Sequence, residues 1–209
     1  MKSISFVGDI HCHTEFKQLM EPGSIQLGDL CVLEYKNKFD FGDGQVRYFV
    51  DGNHDFFPAL DTSAAAPAEV AKGLVYLPRG YMSGRTMFVG GAFSIDKALR
   101  VPGLDWFPEE TVSLRQAHNI LSTSAAVECI VSHDCPTVVL QYLNLFCHTD
   151  QSSCYNQKFM QLVLSKFSPK LWIFAHYHQN LDVSINGCRF VCINSCESRR
   201  FDVPVEKEF

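Results

Sequence analysis

No apolar run in this 209-residue chain approaches the ~18 consecutive residues of a membrane-spanning helix, so no membrane association is expected. Positive charge is scarce. With 18 Lys and Arg against 23 Asp and Glu, the formal net charge is -5. A chain of that balance has no general attraction for phosphate backbones or anionic lipid, which argues against a dedicated non-specific nuclease. There is no Cys-x-x-Cys pair, although the chain has nine Cys. The odd number and the lack of paired spacing speak against a disulfide scaffold or a Cys-rich zinc site. Cys129 and Cys192 lie in apolar runs, so the cysteines are expected to be buried free thiols in a reducing, cytoplasmic setting. The stretch from Ser3 to Gly8 turns polar too quickly for a secretory signal. No internal repeat, low-complexity tract or linker interrupts the sequence, so residues 1–209 are expected to form one domain.

The sequence instead alternates short apolar runs with polar loops. Strands are expected over residues 3–7, 24–27, 46–50, 74–77, 85–89, 127–131, 171–174, 181–185 and 189–193. Asn186-Gly187 joins the last two as a type I′ hairpin turn. Helices are expected at 67–72, stopped by Gly73, at 108–121, with Pro108 and two Glu in its first turn, and at 152–167, stopped by Ser168-Pro169. Residues 58–67, with three consecutive Ala, read as the loosest loop. The fold class that follows is α/β.

Five of the strands run out, within a few residues, into Asp, His or Asn: Gly8-Asp9-Ile10-His11, Gly28-Asp29, Gly52-Asn53-His54-Asp55, Ser132-His133-Asp134 and Ala175-His176-Tyr177-His178. In open α/β sheets ligands bind beyond the carboxyl ends of the strands, so five such ends can converge. The donors are carboxylate, imidazole and amide, without thiolate. That set suits first-row transition ions better than a structural zinc site.

In this order the motifs D-x-H, G-D, G-N-H-D, H and H-x-H resemble the calcineurin-like metallophosphoesterase superfamily, from Asp9 to His178. The segment from Gly90 to Lys97, with Trp106 and Pro108-Glu109-Glu110 after it, resembles small phage and bacterial members. The resemblance implies two packed β-sheets flanked by helices, a four-layer αββα sandwich. It implies two divalent metal ions, manganese first, with iron, zinc, nickel or cobalt as alternatives. One would be held by Asp9, His11, Asp29 and His178, the other by Asp29, Asn53, His133 and His176. A hydroxide between the ions would attack a phosphomonoester or phosphodiester. His54 matches the family's catalytic His, and Asp55 would hold its other ring nitrogen. The substrate would be a phosphate ester, whether a small molecule, a nucleotide or a nucleic acid, with no obligate protein partner. A non-catalytic metal-binding scaffold on the same fold is the alternative.

The chain departs from the patterns of its relatives in four places. Cys12 follows His11 where many relatives have Gly. Ala175 precedes His176, again in place of Gly. Leu30-Cys31-Val32 follows Gly28-Asp29, where Ser/Thr protein phosphatases have Arg-Gly, and Asp55 stands where they carry Glu; both features speak against a protein phosphatase. Several other residues have open roles. His13 lies near the motif and can be a substrate contact or a loop residue. His118 and His148 read as surface residues, and Asp134 as a cap or supporting group. Arg79, Arg85 and Arg100 are each able to bind a phosphate, and sequence does not choose among them. Trp106 and Phe107 are candidates for base stacking.

Overall fold

The computed structural model describes residues 1–145 and 155–206. His148, Cys147, Cys154 and the first residues of the helix expected at 152–167 lie outside them.

In chain order the strands are β1 (Lys2–Val7), β2 (Ile25–Gln26), β3 (Arg47–Phe49), β4 (Ala68–Ala71), β5 (Leu74–Tyr76), β6 (Met82–Ser83), β7 (Thr86–Val89), β8 (Cys129–Ser132), β9 (Leu171–Phe174), β10 (Leu181–Ile185), β11 (Cys188–Cys192) and β12 (Ser198–Val203). They form two six-stranded sheets, ordered β12-β1-β2-β3-β5-β4 and β10-β11-β9-β8-β7-β6. The inner four strands of each sheet are parallel, and an antiparallel strand closes each edge.

The near-continuous apolar runs of the inner strands follow from burial on both faces. Along β9, Trp172 and Phe174 face one layer and Ile173 the other. The layer between the sheets packs Ile4, Phe6, Ile25 and Val50 against Phe88, Val131, Ile173 and Val191. Each such side chain contributes about 1.5–3 kcal/mol on burial. The outer face of the second sheet is covered by α1 (Leu114–Ser122), α2 (Thr137–Leu140) and α3 (Tyr155–Phe167), through Ile120, Val139, Phe159 and Val163. The outer face of the first sheet is covered by loops and short 3-10 segments, with Met20, Tyr35 and Phe39 filling the layer. The crossovers after β1 and β2 carry 3-10 segments in place of α-helices.

Three expectations are corrected. Residues 67–72 do not form a helix. Ala68–Ala71 pairs antiparallel with β5 as an edge strand, and Gly73 (φ 74°) turns the chain. The helix expected at 108–121 starts late. Pro108–Glu110 is a 3-10 turn, and Arg79 takes the carbonyl oxygens of Glu109, Glu110 and Thr111, which a continuous helix would have used. The helix begins instead where the Ser113 hydroxyl and the Gln116 side chain cap it reciprocally. Finally, Cys12 and Cys31 are joined in a disulfide, so they are not free thiols. Cys129, Cys135, Cys188 and Cys192 are buried and free, as expected, and burial pushes the Cys192 thiol up to about 12.

The hairpin at Asn186-Gly187 has both residues at positive φ (49° and 86°), as a type I′ turn requires.

Candidate metal centre

The inner parallel strands deliver their carboxyl ends to one edge of the sandwich. Asp9 follows β1, Asp29 follows β2, Asn53 follows β3, His133 follows β8 and His176 follows β9. The side chains gather as two trios, Asp9–His11–His178 and Asp29–His133–His176. Within each trio the donor atoms lie within 4.8 Å of one another.

In the first trio, His178 Nε2 lies 2.9 Å from Asp9 Oδ2 and 2.9 Å from His11 Nε2. Asp9 Oδ2 is buried and accepts no hydrogen bond, so the nearby imidazole is close without being aimed at it as a donor. A buried carboxylate oxygen with no donor costs free energy unless a cation meets it. In the second trio, His133 Nδ1 donates to the Leu27 carbonyl at 2.7 Å, which turns Nε2 toward the site. Nε2 then faces Asn53 Oδ1 at 3.3 Å, Asp29 Oδ1 at 3.4 Å and His176 Nδ1 at 3.1 Å. Asp29 faces both trios, because its Oδ2 lies 3.8 Å from His11 Nε2. The oxygen and nitrogen donors, the orphaned Asp9 oxygen and the shared Asp29 fit two divalent transition ions.

Electrostatics agree with that reading. Burial disfavours a charged His133, yet the Asp29 and Asp9 carboxylates outweigh it and lift the imidazole to about 10. Burial also opposes the ionised form of Asp29, but the His133 charge holds the carboxyl well below the usual range. Burial, then the His133 charge, lowers His176 to about 3. Burial lowers His11 and His54 as well, and the adjoining Asp9 carboxylate raises His178. The buried carboxylates of the centre therefore favour positive charge at His133, while burial favours the neutral form of His11, His54 and His176.

The local backbone is unusual. His11, Asp29, His176 and His178 all have positive φ (49°, 56°, 69° and 49°). Non-glycine residues rarely occupy this region, and such strain clusters at functional sites. Gly52 is required sterically, since a Cβ there would come within 2.2 Å of Asp29 Oδ1.

Supporting residues set these positions, and several were not visible in the sequence. Asp55 does not hold the His54 ring, contrary to expectation. It is fully buried, and its Oδ2 accepts from the amides of Asp29 (2.9 Å) and Gly52 (2.7 Å). Its Oδ1 accepts from the Leu30 and Cys31 amides (3.1 and 3.2 Å) and the Tyr35 hydroxyl (3.2 Å). Those five donors sit in the loops after β2 and β3 and leave no lone pair for an imidazole. Burial and the Asp29 charge push Asp55 up to about 7. Glu110 is also buried. Its carboxylate accepts from the Ser94 amide (3.0 Å) and hydroxyl (2.6 Å). The Ser94 oxygen accepts in turn from Asn53 Nδ2 at 3.1 Å, which leaves Asn53 Oδ1 facing His133. The Cys12–Cys31 bond ties the loop carrying His11 to the loop carrying Asp29.

The remaining candidates separate clearly. His13 is exposed and pairs with Glu15 at 3.2 Å, and His118 is exposed. Asp134 is buried and accepts from Tyr177, Cys135 and Asn156. Phe107 packs on Phe57, and the Lys97 ammonium lies 4.1 Å over the Trp106 ring. His54 is half-buried beside His11, with ring centroids 5.1 Å apart, and Arg100 meets its ring.

No protein-family model matches the chain, and no curated protein matches it. Solved structures do. The phosphopantetheinyl hydrolase PptH of Mycobacterium tuberculosis aligns over 93% of this chain and 90% of its own, at 15% identity and a TM-score of 0.51. GAP50, the anchor in the inner membrane complex of Plasmodium, aligns over 93% of this chain and 71% of its own, at 12% identity and a TM-score of 0.50. At these identities the likeness is one of fold.

Proposed function

We propose that the protein is a metal-dependent phosphoesterase with a two-ion centre. The observation that carries this reading is the convergence of two donor trios on a shared Asp29, with Asp9 Oδ2 left without a donor. The first ion would be held by Asp9, His11, Asp29 and His178, and the second by Asp29, Asn53, His133 and His176. When bound, such a pair of ions activates water and neutralises charge on the oxygens of a phosphate ester. The protein's part is positional. Ser94 and Glu110 orient the Asn53 amide, Leu27 fixes the His133 tautomer, and Asp55 pins the Asp29 loop. His54 is kept neutral by burial and retains one N–H to offer an ester or leaving-group oxygen. The fold neighbour PptH is a hydrolase by name, which supports this chemistry.

GAP50, an anchor by name, keeps a second reading in view: a binding scaffold without turnover. One experiment separates the two. The protein is loaded with manganese, its ions are counted by elemental analysis, and it is assayed on an aryl phosphate, a cyclic nucleotide and an oligonucleotide. The phosphoesterase reading expects two ions per chain, turnover of at least one ester, and reversible loss of turnover with chelator. His54→Ala should keep both ions and lose about 10²-fold or more in rate. Full turnover after confirmed metal removal would refute the metal mechanism. Two bound ions with no turnover of any ester would favour the scaffold.

A further inference from the structure

Arg79, Arg85 and Arg100 differ sharply in what surrounds them. Arg79 is buried, with its fork on the Asp51 carboxylate and the carbonyl oxygens of residues 109–111. Arg85 is exposed one residue before β7, at the end of the sheet away from the centre, and pairs with Glu128 at 2.6 Å. Arg100 alone reaches the centre.

Its side chain is only 5% exposed. Nε donates to Asp96 Oδ2 at 2.9 Å, and Nη1 donates to the carbonyl oxygens of Asp105 (3.1 Å) and Asn53 (3.4 Å). Three of the five N–H groups of the guanidinium are thus fixed by the protein. The other two belong to Nη2, which lies against both ring nitrogens of His54. A neutral imidazole has one acceptor lone pair, so it satisfies at most one of them. A buried cation is therefore left with a spare donor beside the proposed catalytic His, anchored through the carbonyl of Asn53, itself a proposed ligand.

We propose that Arg100 Nη2, together with His54, binds a non-bridging oxygen of the substrate's phosphate group. This rests on the phosphoesterase reading. The ligand class is a tetrahedral oxyanion, which the planar fork meets with charge-assisted hydrogen bonds. Asp96, half-exposed at 43%, balances the guanidinium between turnovers without occupying Nη2.

The test measures inorganic phosphate binding to the manganese-loaded protein by calorimetry, alongside steady-state kinetics on an aryl phosphate. Arg100→Gln should weaken phosphate binding and raise KM by about 10- to 100-fold, the size expected for a charge-assisted bond, with metal content unchanged. Arg100→Lys should fall between it and the wild type, since a point charge lacks the fork. Unchanged phosphate affinity in Arg100→Gln with a reduced kcat overturns the proposal and makes Arg100 a prop for His54. If Arg100→Gln fails to fold, Arg100→Lys decides: affinity equal to the wild type overturns the fork, and a several-fold loss supports it. A wild type that binds metal but neither hydrolyses an ester nor binds phosphate would overturn the phosphoesterase reading itself. Hydrolysis by the wild type with an indifferent Arg100→Gln would overturn only this inference.

Discussion

Replacing Asp55 by Asn is a one-atom change in a side chain that accepts five hydrogen bonds. An amide keeps one acceptor oxygen and turns the other into a donor. In the better orientation the new NH₂ faces the Asp29 and Gly52 amides. In the other it faces the Leu30 and Cys31 amides and the Tyr35 hydroxyl. At least two buried N–H groups then lose their partner, at about 1–3 kcal/mol each, so Asp55→Asn should cost about 2–6 kcal/mol. Domains of this size are stable by only about 5–15 kcal/mol. Urea unfolding of chelated wild type and variant reads this as a lower midpoint at unchanged slope. Metal affinity should also fall, because the Asp29 amide is one of the groups released. Had Asp55 served to orient the His54 ring, the variant would keep its stability and its metals and lose only rate. A midpoint within about 0.5 kcal/mol of wild type, where neutral surface changes fall, would refute its role as a pin.

Two further perturbations follow from the site. In chelated protein His133, lifted to about 10, lies above its unfolded value of about 6.5. The stability it contributes is therefore complete below about pH 6.5 and fades as pH rises toward 10. The urea midpoint of chelated protein should drop between pH 7 and 9.5, while metal-loaded protein, with His133 neutral, should not show that drop; a flat profile in the chelated protein would mean that the imidazole is already uncharged. Ser94→Ala removes the acceptor that orients Asn53 Nδ2 without touching the donor trios, and should weaken metal binding by about 10- to 100-fold in a competition titration. Affinity equal to wild type would show that the Asn53 amide needs no such support.

Much of this molecule was legible in its sequence. The inner parallel strands are buried on both faces, so Cys129–Ser132 and Leu171–Phe174 announce themselves as apolar runs ending in His motifs. The edge strands lack that signature. Ser198–Val203 carries two Arg and an Asp and reads as a polar tail, although Phe201 and Val203 pack inward. Ala68–Ala71 is too short for either periodicity to show. The donor residues could be read because their chemistry is in the side chain. Their supports could not be, because an Asp that accepts backbone amides looks in sequence like an Asp that orients a His. The Arg79 contacts that keep the α-helix from starting at Pro108 join residues about thirty positions apart, and no local pattern encodes them. The same is true of Cys12 and Cys31, which are 19 residues apart and brought together by the ends of β1 and β2.

The left-handed backbone at His11, Asp29, His176 and His178 also bears on how such a chain evolves. That conformation costs a non-glycine residue on the order of 1–2 kcal/mol, less for Asn or Asp. The cost is carried only while the imidazoles at these positions are useful. A lineage released from the chemistry would gain stability by drifting to Asn at His11, His176 and His178, or to Gly with part of the gain lost to a looser unfolded chain. Asp9, Asn53 and His133 have ordinary backbone and carry no such incentive. The motif would therefore erode in a set order. The two His of the H-x-H pair and the His of D-x-H would go first, while the Asp of D-x-H and the G-N core would linger as fossils in proteins that keep the fold for other uses.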